Sequence, residues 1–246
     1  MMARTLLILL LFLGCYSHAQ SDEPFETILD YKLNYELPQE DNEPITIQLF
    51  LDSEKASIYS TNQLCIHAVV SFINDLREPS DPLHLDAKNY NRIDENTIQA
   101  FLLDLENGRI FLNQWMNDGT HSPLVIDVSK FAGNNNSDQG LQIKVKALDE
   151  TYSYQDKSFP MYSFGPASLP NEALILAVDD STDFELSKVF NGLVKAAAPN
   201  NEWKIDPLPK GILLLLRDKD GIMAQLSSME KVTKSVTIDN EFNIEE

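Results

Sequence analysis

Beyond residue 13 this chain holds no apolar run approaching the ~20 residues that a membrane-spanning helix needs, so most of it is expected to be soluble. Cysteine is almost absent. The two present are Cys15 and Cys65; if the first leaves with a leader, no intrachain disulfide can form and stability must come from packing. Positive charge is scarce, with 19 Lys and Arg against 38 Asp and Glu and a formal net charge of −19. Such a field repels phosphate backbones and anionic headgroups, which argues against nucleic-acid binding and polybasic membrane docking. Catalytic patterns are missing too: there is no Gly-x-Ser-x-Gly elbow, Gly-rich phosphate loop or paired-carboxylate signature. His67, His84 and His121 are scattered, with no His-x-x-x-His spacing. No catalytic residue, metal or cofactor is expected.

What the chain does have begins with a leader. Arg4 is the only charge in the first nineteen residues, Leu6 to Leu13 is unbrokenly apolar, and Ser17-His18-Ala19 places small residues at −3 and −1 of a cut before Gln20. Residues 1–19 are read as a secretory signal peptide. Leu13-Gly14-Cys15 also resembles the end of a bacterial lipobox, whose cleavage would leave a lipidated Cys15, although Phe12 and Leu13 fit that motif poorly. Cutting after Ala19 removes Arg4 and no acid, leaving 18 basic against 38 acidic side chains, a net −20. Cutting before Cys15 would tether the same fold to a membrane. Either way an exported protein is expected, periplasmic or outer-membrane associated in a Gram-negative bacterium, or secreted.

The mature part alternates. Leu29, Tyr31, Leu33, Tyr35 and Leu37 interleave with Asp30, Lys32, Asn34 and Glu36, which puts the apolar side chains on one face of a strand. Ile45 to Leu51 repeats the pattern, and Ala56 to Ser60 supplies a third strand. The period then changes to three-and-four over Leu64, Ala68, Val69, Phe72, Ile73 and Leu76, which predicts a helix. Residues 77–96 look like a polar loop. Thr97–Leu105 and Arg109–Trp115 are read as a hairpin in which Asn107-Gly108 supplies positive φ angles. Leu124–Val128 and Leu141–Ala147 are further strands, with 133–140, including the sequon Asn135-Asn136-Ser137, taken as a polar loop and 160–170 as irregular. An apolar strand, Ala173–Val178, leads to a helix that Ser181 or Thr182 would cap, with Leu186, Val189, Phe190, Leu193, Val194 and Ala197 as its buried stripe. A meander closes the chain: Ile212–Arg217, an Asp218-to-Gly221 turn, Ile222–Met229 and Val232–Ile238. No repeat or long linker appears, so one domain spanning 20–246 is expected, with a helix and loop inserted at about 61–96.

Three groups invite a functional reading. Asp179, Asp180 and Asp183 follow an apolar strand and could gather a divalent metal, but capping a helix explains them more simply. Asp218-Lys219-Asp220-Gly221 is read as a hairpin turn, since Leu216 and Ser227 would occupy the end positions of a calcium loop. Trp115, Tyr152, Tyr154, Phe159, Tyr162, Phe164 and Trp203 could make a sugar-stacking platform, and are more simply core and cross-strand pairs.

Gly211-Ile212 opening a strand, the Asp218-to-Gly221 turn, Met229-Glu230-Lys231, and the closing Asp239-Asn240-Glu241-Phe242 resemble the C-terminal end of a bacterial family of exported proteins of unknown function. The Tyr31-to-Leu37 strand and the Asn-Gly hairpin are similar to its earlier parts, and the likeness covers about two thirds of the mature chain, with 61–96 unmatched. Its proteins are thought to share the curved antiparallel sheet of the periplasmic Lol lipoprotein carriers. The resemblance implies a mainly β (α+β) fold, a curved antiparallel sheet with about two packed helices over its concave side. It also implies an apolar groove suited to a lipid or a lipoprotein acyl chain. It carries no catalytic residues. The competing expectation is a filled core in a structural or adhesive envelope protein.

Overall fold

The computed structural model describes residues 24–39, 42–77, 92–116, 119–127, 137–169, 172–189, 201–239 and 241–245. The predicted leader with Cys15, and His84, Asn135 and Asn136, lie outside them. Thirteen strands form one curved, unclosed and mainly antiparallel sheet. The first half is β1 (Phe25–Leu37), β2 (Ile45–Asp52), β3 (Ser57–Ser60), β4 (Ile98–Asp104), β5 (Arg109–Trp115) and β6 (His121–Asp127), with helix α1 (Gln63–Arg77) between β3 and β4. The second is β7 (Ser137–Tyr154), β8 (Lys157–Pro166), β9 (Leu174–Asp179), β10 (Asn201–Ile205), β11 (Ile212–Asp218), β12 (Gly221–Ile238) and β13 (Phe242–Glu245). Across the sheet the order is β10-β7-β8-β9-β11-β12-β1-β2-β3-β4-β5-β6, with β13 added on β12. The halves therefore meet at one ladder, β1 against β12.

Helix α1 begins where Asn62 caps it, the side-chain oxygen accepting from the N–H groups of Leu64 and Cys65. Its stripe, with Cys65, Ile66, Val69 and Ile73, packs into the larger core together with Leu49, Leu51, Ile58, Phe101 and Leu112. The intervening residues Phe50, Tyr59, Leu102 and Phe111 enter a second core on the opposite face, so β2 to β5 are buried on both sides. What covers that second face is the far end of the β1–β12 ribbon and β13: Leu29, Val236, Ile238 and Phe242. Register shifts between Leu29 and Tyr31 and between Asn34 and Tyr35 give β12 an extra residue each time. Such bulges bend and twist a strand pair, which lets the ribbon turn back over the sheet. Phe25 then stacks on Phe111 at 4.9 Å between ring centroids, and Tyr59 meets Phe242 at 6.3 Å.

Several expectations change. The β4–β5 connection is a four-residue turn, 105–108, closed by the Asp104–Arg109 pair. Only Gly108 has positive φ (64°); Asn107 is instead held by the Asp104 carboxylate, which accepts from its backbone N–H and its amide. Residues 137–140 belong to β7 rather than to a loop, and 160–166 to β8 rather than to an irregular stretch. Pro160 and Pro166 are tolerated there because β9 pairs with β8 only from Met161 to Phe164, so neither proline must donate on that side. The last meander has one strand fewer, since β12 runs unbroken through 230–231 and absorbs the change of period as bulges. Strand β10, parallel to β7, carries no signal in the sequence. The four residues 186–189 are helical, and the remainder of that predicted helix, with Leu193, Val194 and Ala197, lies outside the described residues.

Candidate functional site

On the larger core's side of the sheet an apolar cavity lies where the two halves join. Leu33 and Tyr35 of β1, Leu49 and Leu51 of β2 and Ile58 of β3 form one wall. Ile212 and Leu213 of β11 form the second, and Phe184, Leu186 and Val189 close it over. Its volume is about 20 Å³, room for roughly one water-sized body. Among the described lining residues Tyr35 brings the only side-chain polar atom, and its hydroxyl donates to the Leu213 carbonyl at 2.8 Å. Burial pushes that phenol far above its ordinary pKa, with Tyr154 close enough to add to the shift.

The covering segment 183–189 is fastened from outside. Gly211 N–H donates to the Phe184 carbonyl at 2.8 Å, Leu208 N–H to Ser187 Oγ at 2.9 Å, and Lys210 lies 3.9 Å from both Asp183 and Glu185. Gly211 sits at φ 139° with the Asp179 carbonyl 2.2 Å from where a Cβ would stand, so no other residue fits without a backbone shift.

The acidic motif is dispersed by this arrangement. Asp179 is 6 % exposed and accepts from Ser181 N–H at 3.0 Å, Asp180 is exposed, and Asp183 points to solvent beside Lys210. Among the described residues no three His, Cys, Asp or Glu side chains gather as a metal site. Nor does Ser181 or Thr182 cap the helix. Helical residues start only at 186, and the buried Thr182 hydroxyl has no hydrogen-bond partner among the described residues. Phe184, just past the acids, is the contributor that periodicity missed: it precedes the helical turn and so falls outside a three-and-four pattern.

The other singled-out residues are structural. His67 contacts the Glu95 carboxylate, His121 lies 3.2 Å from the Asn113 amide oxygen and edge-on to Trp115 at 4.5 Å, and no shared site joins them. Phe159 and Phe164 are core, Tyr152, Tyr154 and Tyr162 pack partly buried against it, and Trp115 is exposed on β5. The Trp203 side chain lies outside the described residues. Asp218 closes its hairpin by accepting from Asp220 and Gly221 N–H at 2.8 and 3.0 Å. Cys65 is fully buried, which pushes its thiol up to about 12. No described helix is long and apolar enough to cross a membrane.

Comparison with protein-family models, curated proteins and solved structures finds no match for this chain. The fold itself defines the class: a mainly β protein whose curved, unclosed sheet carries helix α1 and the 183–189 segment on one face.

Proposed function

We propose that this is an exported, non-catalytic protein of the cell envelope that holds one long apolar chain, of a lipid or an acylated protein, between the sheet and residues 183–189. The observation that carries this reading is the cavity's lining: nine apolar side chains and one tyrosine whose hydroxyl is already engaged. The leader and the likeness to the lipoprotein carriers support it. Entry requires Phe184, Leu186 and Val189 to give way. Exposing three such side chains costs ~7 kcal/mol and each buried methylene returns ~0.8 kcal/mol, so only chains of roughly nine or more carbons would bind. Titration of the exported protein with a fluorescent C18 alcohol should show saturable uptake, competed by long but not by short alkyl chains. Flat titration, together with a bare mass for protein taken from its own envelope, would rule the reading out.

A second reading rests on the cavity's size. At about 20 Å³ it is smaller than any acyl chain. A structural or adhesive envelope component, free or tethered through Cys15, needs no more than this. The same titration separates the two.

A further inference from the structure

Asp179 is a buried carboxylate that the fold leaves under-used. Its Oδ1 takes the Ser181 N–H, an ordinary turn contact, and among the described residues that is its one hydrogen bond. Buried carboxylates are normally saturated, as Asp52 is here by Thr27 Oγ1 and the N–H groups of Ile28, Glu54 and Lys55. Asp179 does not itself line the apolar cavity but stands next to a residue that does. Its partner across the β9–β11 ladder is Ile212, a lining residue, so the two side chains are neighbours on one side of the sheet. The charge of Asp179 contributes, after burial and Tyr152, to raising Tyr154, and Tyr154 in turn acts on Tyr35 of the cavity wall. The unpartnered, buried Thr182 hydroxyl is three residues along the chain.

We infer that Asp179 is the polar end of the binding site and receives a head group that donates hydrogen bonds, an amine or a hydroxyl, while refusing carboxylate and phosphate heads. This rests on the cavity binding an apolar chain at all. A fixed carboxylate in apolar surroundings attracts a cation and repels an anion more strongly than one in water, and a charge-assisted hydrogen bond adds direction.

The test compares tetradecylamine with tetradecanoate, both below micelle formation, by calorimetry on the exported protein and its Asp179→Asn variant. Asparagine keeps the oxygen that accepts from Ser181, and circular dichroism checks the fold. Salt near 0.5 M screens the overall negative charge to within a few ångströms. The wild type should prefer the amine by about tenfold or more, a typical return for one hydrogen bond to a charged group, and the preference should collapse toward one in Asp179→Asn. Equal binding of the two probes to the wild type overturns this inference and leaves apolar binding standing. A preference that survives in Asp179→Asn also overturns it, since the source is then some other charge. Binding of neither probe overturns both readings.

Discussion

At the scale of single residues, the firmest contacts are two buried aspartates at strand ends. Asp52, Ser57, Asp104 and Arg109 are successive partners across β2 to β5, so they form a polar row on one face. Asp104 accepts from Arg109 Nε and Nη2 at 2.9 and 2.7 Å, and Asp52 ties the 53–56 turn to β1. Between them Ser57 is fully buried, and its hydroxyl has no partner among the described residues. Opposite outcomes are therefore expected in urea unfolding. Ser57→Ala should stabilise by ~1 kcal/mol with an unchanged m-value, whereas Asp52→Ala, which strands four donors, should cost ~3 kcal/mol. Cys65 gives a pH signature. Its folded pKa is raised from 9.0 to about 12, so its neutral form contributes stability that is fully present below the unfolded value and is lost as pH rises from about 9 towards 12. Cys65→Ala should flatten that part of the alkaline limb. The native thiol should resist iodoacetamide at pH 8 and react once the chain unfolds; rapid native alkylation would contradict its burial.

At the scale of elements, the hairpins show how turn chemistry and sequence can part company. The β7–β8 hairpin closes with Tyr154 opposite Lys157 and only Gln155 and Asp156 between them, at φ 48° and 62°. Two consecutive left-handed residues are the geometry that Asn-Gly serves best, yet neither is present. The Asn-Gly pair that does occur, at 107–108, sits in a longer turn that uses only one of the angles. Replacing Gln155 and Asp156 by Asn and Gly should therefore stabilise the protein by ~1 kcal/mol, read as a rise in melting temperature. No change would mean that the flanking Tyr152 and Tyr154 packing already sets the turn.

At the scale of the whole molecule, everything hangs on β1 and β12, which start about 200 residues apart in the chain. Strands β2 to β6 and β7 to β11 each line up on their own side, and this ladder is their junction. Because both cores draw on it, Tyr35 and Leu226 on one face and Leu29 and Val236 on the other, their backbone N–H groups should be among the slowest to exchange with deuterium. Leu226→Pro, which removes a donor in a central strand and a buried side chain, should abolish cooperative unfolding. Two separate transitions in the wild type would show that the halves do not depend on each other.

Alternation over 29–37 and 45–51, the Asn107-Gly108 turn signal between two apolar runs and the three-and-four stripe of α1 made these strands and the helix legible, because local pattern and turn chemistry are written into the chain. The acidic balance and the apolar run before Asp179 were equally readable. Sequence could not reveal that β2 to β5 are covered on both faces, that β10 joins β7, or that β12 runs unbroken, since these depend on which distant strand supplies the partner. The cavity was illegible for the same reason: its walls come from β1, β2, β3, β11 and a segment just beyond an acidic turn. The acids after β9 looked like a cap or a metal set, and only the register that places Asp179 beside Ile212 gives one of them a different neighbourhood. Local periodicity fixes which residues want to be buried; long-range pairing decides what they are buried against.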